Sequence, residues 1–293
     1  MGGFSHPSAL RRELSLRNRE YARRLALDHR ESRGDSPVIC YLASEGASQH
    51  GNFLPQSYRA ILKNEKWRKR LAKPHTSAYQ ALPREGLRWR ELDSCNSSDA
   101  LLMNIFCYPG ITRSRETCDL LGVECDFEPE FGFKARVPLS NGRMDRTEID
   151  LKLGDVLVEA KLTESDFQNK SVEVLESYRD FREVFNADQL LRRNGSYVSY
   201  QLIRNVLAAS ANASAFCVLI DARRPDLCEA WYAVMRCIRL HDLRMRCKIL
   251  TWQELTAALP KRVQEFLGEK YGIFVSEDAA RALHRASGDE EIA

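Results

Sequence analysis

Between Thr147 and Leu162 apolar and polar residues alternate on either side of a Gly154-Asp155 pair, and a tight two-stranded hairpin is the arrangement that pattern favours. Counting outward from the turn sets the register. Leu153 faces Val156, Leu151 faces Val158 and Ile149 faces Ala160 on one side of the sheet. On the other side Asp150 falls opposite Glu159, and Glu148 falls opposite Lys161. Directly opposed side chains have Cβ atoms roughly 4.5–5.5 Å apart, so two carboxylates meet there, and that is destabilising unless something positive sits between them. The second strand, Val-Leu-Val-Glu-Ala-Lys-Leu, is apolar enough for the centre of a sheet, where an acid and a lysine are costly to bury.

Two readings follow. In the first, Asp150, Glu159 and the Ala160 backbone carbonyl supply hard oxygen ligands to a divalent cation such as Mg2+, with Mn2+ able to substitute. Lys161 lies two residues beyond Glu159, hence on the same face, where its ammonium could orient a water or offset charge growing on a phosphate. In the second, the hairpin presents a solvated ladder of charges in which Lys161 and Lys152 neutralise the acids. The apolar character of the second strand favours the first.

Asp150, the hairpin and Glu159-Ala160-Lys161, continued by Leu162-Thr163-Glu164, resemble the signature of the PD-(D/E)XK nuclease superfamily, which includes restriction and repair endonucleases. The sequence departs from that signature at Ile149, where a proline is common. The resemblance implies an α/β (α+β) fold: a restriction-endonuclease-like αβββαβ core over about residues 96–221, its mixed central sheet flanked by helices. It implies metal-dependent hydrolysis of DNA, leaving a 5′-phosphate, in restriction, phage defence or repair. In such proteins a polar residue on the helix after the lysine strand points at the metal or its waters, and Gln201 resembles it. An upstream acid sometimes completes the metal shell, and Asp99, Glu128, Glu130 and Glu148 are the acids available. A metal-free nucleic-acid-binding or assembly module on the same fold is the alternative from a different class. RNA is as acceptable as DNA to cations that address phosphate.

Charge is unevenly distributed. Residues 1–90 hold 18 Lys and Arg against 8 Asp and Glu, a balance of +10, and the whole chain carries +3, so the remainder carries −7. A basic, helical and loop-rich extension over residues 1–90 is therefore expected beside a catalytic domain over 91–286 and a frayed tail over 287–293. Within the extension, Lys66, Arg68, Lys69, Arg70 and Lys73 cluster around Trp67, a composition suited to phosphate contacts. A helix over 8–33, with Leu10, Leu14, Tyr21 and Leu25 on one face, could instead pair two copies as a homodimer. Residues 33–56 are rich in Gly and Pro and read as a loop.

Farther on, a buried helix is expected from residue 96, strands over 127–137 and 144–153 joined at Ser140-Asn141-Gly142, and a helix over 172–191. A second helix, 197–209, carries Gln201, Arg204, Asn205 and Ala208 along one stripe, with Arg204 placed to hold a phosphate. A strand over 215–221, a helix over 225–239, a strand over 247–250 and helices over 252–259 and 261–271 complete the reading. The nine cysteines include no Cys-x-x-Cys, which argues for reduced thiols rather than zinc or disulfides. No stretch approaches the roughly 20 apolar residues of a membrane span, and the first residues lack an apolar signal region, so a cytoplasmic protein is expected.

Overall fold

The structure, a computed structural model, describes residues 5–32, 37–42, 48–75 and 90–275. The chain divides into two compact units, one of residues 1–120 and 251–293, the other of residues 121–250. This division departs from the boundary expected at residue 90: the helices after residue 251 group with the N-terminal segment rather than with the sheet. The tail over 287–293 lies outside the described residues.

In the first unit helix α1 (His6–Arg24) starts at a proline in its first turn and buries Leu10, Leu14, Asn18 and Tyr21 on one face. It is shorter than the helix expected over 8–33. Ala26 takes a left-handed φ of 50°, and the chain turns into a short strand, His29–Glu31, paired antiparallel with Ile39–Tyr41. A buried strand thus lies in what reads as loop. Asn64 separates α2 (Pro55–Lys63) from α3 (Glu65–Arg70) and caps the latter, its Oδ1 accepting from the Lys66 and Trp67 amides at 3.0 and 3.3 Å. Helix α4 (Ser98–Phe106) is buried along its whole length, as its apolar run requires, with Ser97 as its cap. In the same unit α7 (Lys261–Tyr271) meets α1 through Lys270, whose Nζ donates to Asn18 Oδ1 at 2.7 Å.

The second unit is built on a five-stranded mixed sheet. In chain order its strands are β1 (Glu130–Lys134), β2 (Glu148–Leu153), β3 (Val156–Ala160), β4 (Ala215–Ile220) and β5 (Cys247–Thr251). They lie side by side as β5-β4-β3-β2-β1. β1, β2 and β3 run antiparallel in succession, and β4 is parallel to β3. Every residue of β3 is buried, as a central strand demands. Helix α5 (Tyr200–Ala211) covers one face, where Leu202, Ile203 and Val206 join Leu157, Phe216 and Val218 in one apolar cluster. Helix α6 (Pro225–Met235) adds Leu227 and Trp231 to it. This is the restriction-endonuclease-like fold.

The expected long strands are interrupted. Past Lys134 the chain bends at Arg136, which has φ 53°, and forms a two-residue ladder of Val137–Pro138 with Met144–Asp145 around Gly142. The helix expected over 172–191 is two short helices, Val172–Glu176 and Phe181–Val184. Between them Tyr178 is drawn to Asp145 and Tyr200, its hydroxyl 2.7 Å from Asp145 Oδ2. Tyr197 lies in a strand, Ser196–Val198, and the helix starts at Tyr200, after Ser199 turns through a φ of 62°. The helix over 225–239 stops at Met235. Among the described residues no helix is long and apolar enough to cross a membrane.

Candidate metal and phosphate site

The hairpin of β2 and β3 turns at Gly154, which holds the left-handed φ of 56° that such a turn needs. Its ladder runs Leu153–Val156, Lys152–Leu157 and Leu151–Val158, the register counted from the sequence. There the hydrogen-bonded ladder stops. The next amide on β3, that of Ala160, donates to the Asp150 carboxylate at 2.8 Å instead of to the β2 backbone. On the other edge of β3 the Lys161 amide donates to Leu219 O at 2.9 Å. Because successive backbone groups alternate along a strand, the Ala160 carbonyl faces the side where β2 has let go. Gly132 of β1, with φ 68°, occupies the register position across from Asp150 and adds no side chain there.

Glu159 projects from β3 toward α5 and is almost fully buried. One carboxylate oxygen accepts from Lys161 Nζ at 2.7 Å, the other from Asn205 Nδ2 at 2.7 Å. The Asn205 carbonyl oxygen accepts from Arg204 at 2.9 Å, which sets the direction of the amide. Lys161 is buried as well, 5.6 Å from the centre of the Phe167 ring. Burial alone would push its ammonium down, but Glu159, Glu164 and Asp150 outweigh that and hold it above the ordinary lysine value. A permanently charged lysine is thus held beside two carboxylates.

Among the described residues no three or more His, Cys, Asp or Glu side chains converge as a metal cage. The donors at the hairpin are two carboxylates and one main-chain carbonyl, a set that suits a hard cation retaining several waters. One further observation fits such a cation. Gln201 lies one turn before Asn205 on α5, and its side-chain oxygen is buried without a hydrogen-bond partner. An orphaned acceptor next to a carboxylate site matches a water that donates to it.

Other expected residues are placed differently. Glu148 pairs in register with Lys134 of β1, not with Lys161, because β2 and β3 have separated before that point. Arg204 is buried, and its guanidinium donates to Asp145 at 3.0 Å, to Asn205 and to the Thr147 carbonyl. Its donors are committed to holding the chain between the two halves of the interrupted strand, so the phosphate role expected of it is withdrawn. Asp99 lies in the first unit, paired there with Arg70 at 3.0 Å and Lys73 at 2.5 Å. Those two cations therefore neutralise a buried acid, and only Lys66, Arg68 and Lys69 of the basic cluster remain on the open side of α3. Glu130 is exposed and 3.5 Å from Lys152, and Glu128 precedes β1.

Two contributors carry no motif in the sequence. Asn205 belongs to the polar stripe, but only the fold shows that it, rather than Arg204, touches Glu159. Arg224 is fully buried, and its guanidinium donates to the carbonyls of Leu162, Glu164 and Ser165, clamping the segment that follows Lys161. No curated protein and no solved structure matches the chain. The family model described as "Restriction Endonuclease associating with ARP" matches residues 23–272, and with the sheet and hairpin it spans, the chain belongs to that family.

Proposed function

We propose that the chain hydrolyses phosphodiester bonds in DNA at the β2–β3 hairpin, with magnesium held by Asp150, Glu159 and the Ala160 carbonyl. The observation that carries the reading is the buried Glu159–Lys161 pair, 2.7 Å apart, closed on its other side by Asn205. Burying an acid and a lysine at the centre of a sheet costs several kcal/mol per ion even when they are paired, and apolar residues of similar volume would serve the fold as well. A family of restriction endonucleases gives that arrangement a purpose.

When bound, the metal would polarise the phosphate and lower the pKa of a coordinated water. The protein's own groups do the rest. Asn205 holds the Glu159 carboxylate in one orientation, so its oxygens need no reorganisation when a substrate arrives. Lys161, kept cationic by its neighbours, offsets the charge that grows on the phosphate oxygens. The Gln201 oxygen, buried without a partner, offers an acceptor that can hold the attacking water in line. Asp150 accepts from the Ala160 amide, which fixes its carboxylate beside the end of the ladder.

The test is incubation of the purified chain with supercoiled plasmid, linear plasmid and RNA, in magnesium or manganese against EDTA. The Asp150→Ala and Lys161→Ala variants run alongside. Metal-dependent nicking that falls at least about 100-fold in both variants is expected. Cleavage that persists in both, or that ignores EDTA, would remove the hairpin from the chemistry. The absence of cleavage with nucleic-acid binding intact in all three proteins would favour the metal-free binding module, a reading that the full engagement of Glu159 by Lys161 and Asn205 already accommodates.

A further inference from the structure

Beyond the far end of β1 the second unit holds an open cleft of about 570 Å3 that the hairpin chemistry does not use. Its floor is apolar: Phe133, Pro138 and Met144 line it, and Met144 is 49% exposed. Its rim is cationic, formed by Lys134, Arg136 and Arg146, all exposed. None of the three has an ion-pair partner among the described residues. Two other exposed arginines of the same unit do have partners, Arg179 with Asp180 at 2.7 Å and Arg182 with Glu176 at 2.8 Å. Asn212 closes one side. Both of its amide hydrogens are taken, by the Ala135 and Ala208 carbonyls at 2.9 and 2.8 Å, so it offers the cleft a fixed acceptor oxygen.

We infer that this cleft takes one unpaired nucleotide of the strand that crosses the hairpin, base against the apolar floor and phosphate against the rim. An apolar floor, a single fixed acceptor and a ring of unpaired cations match the division within a nucleotide between a flat base, its edge and its phosphate. The volume is that of a small-molecule pocket, too small to admit a duplex. Position supports the same occupant. Lys134 stands in register with Glu148, two residues before Asp150 on β2, so the rim begins about 7 Å along the sheet from the hairpin acid. One strand of nucleic acid can therefore lie on both. The backbone is committed to the shape as well, since Arg136 is held at a φ of 53°, where a non-glycine residue is rarely found.

This assignment rests on the nuclease reading but is tested apart from it, by binding with the metal chelated. Fluorescence anisotropy would follow the full chain and the Arg136→Ala/Arg146→Ala double variant on a labelled single-stranded oligonucleotide and on a blunt duplex, across a salt series in EDTA. Both substituted side chains are exposed, and an unchanged thermal melt would show that the fold is kept. The expected result is roughly tenfold weaker single-strand binding, with the salt slope reduced by about 1.4, while the duplex changes less. A second variant, Met144→Asp, should weaken the single strand without lowering the slope. Unchanged single-strand affinity and slope in the double variant would overturn the assignment, and so would an equal loss on duplex. Cleavage that depends on Asp150 together with unchanged binding would sink the cleft and leave the nuclease standing. The expected binding loss without any Asp150-dependent cleavage would do the reverse.

Discussion

Asp145 shows how a residue outside the hairpin sets the hairpin's geometry. Its carboxylate accepts from the Thr147 hydroxyl and amide, the Tyr178 hydroxyl and Arg204. Burial works against the charged form, yet the Thr147 hydroxyl, the Tyr178 hydroxyl, the Thr147 amide and the Arg204 charge prevail and hold its carboxyl down to about 2. Arg204 in turn orients Asn205, and Asn205 holds Glu159. A carboxyl depressed in this way contributes stability above its unfolded value of about 3.9, and that contribution is lost as pH falls from there toward 2. Asp145→Asn keeps the shape and removes the charge. Breaking a buried pair costs about 3–5 kcal/mol, and partial exposure with a residual amide acceptor should reduce this to roughly 2 here. Urea unfolding at pH 7 should show that loss, and the difference from the unsubstituted protein should shrink between pH 4 and 2. A constant difference across that range would mean that the charge of Asp145 is not what the pair relies on. Lys161→Met makes the opposite kind of statement. It leaves Glu159 buried with Asn205 alone, so both stability and cleavage should fall, cleavage by about 100-fold or more.

At the scale of elements, the β2–β3 turn depends on one backbone angle. A Cβ added to Gly154 would meet nothing within 4 Å, so the penalty of Gly154→Ala comes from its φ of 56° alone, about 1–2 kcal/mol. Gly154→Asn should cost less, because asparagine tolerates the left-handed region. Equal losses for Ala and Asn in a denaturant titration would show that something other than this angle fixes the turn. The hairpin was legible because its period of two and its turn residues are local signals. The end of its ladder at Leu151–Val158 was not, because a carboxylate taking the place of a backbone acceptor leaves no trace in an alternating pattern. The helix expected over 172–191 broke for a similar reason. Its apolar period is real, but Tyr178 answers to Asp145, 33 positions away in sequence. Arg204, in the polar stripe of α5, bonds to Asp145, Asn205 and the Thr147 carbonyl, and the sequence spells a buried structural arginine and a phosphate-binding one alike. Asn205 stood in the same stripe, and only the packing of α5 against β3 distinguishes the two.

Across the whole molecule the charge asymmetry survives folding in a thinned form. Of the basic cluster, Arg70 and Lys73 turn to Asp99, so the density of cations in the sequence overstates what a polyanion would meet. Lys66, Arg68 and Lys69 stay exposed on α3. The Lys69–Glu65 pair on that helix is exposed at both ends and adds little, so it would not hold Lys69 back from a phosphate. The two units thus carry cationic surfaces of different make. That of α3 is a row of exposed cations on one short helix and suits the regular backbone of a duplex, whereas the cleft of the second unit combines its charges with an apolar floor. Replacing Lys66, Arg68 and Lys69 together with Gln should therefore lower duplex affinity for every sequence alike. The log–log salt slope should become shallower by about 2.7, three cations at roughly 0.9 each. Single-strand binding in the Arg136/Arg146 region should be largely spared. Titration of both substrates at four salt concentrations separates the cases. A triple variant with an unchanged duplex slope would assign the basic character of the first unit to solubility alone. A loss confined to one duplex sequence would instead make α3 a reader of bases, for which exposed lysines on so short a helix are poorly suited, because base edges are told apart by paired donors and acceptors held in fixed geometry.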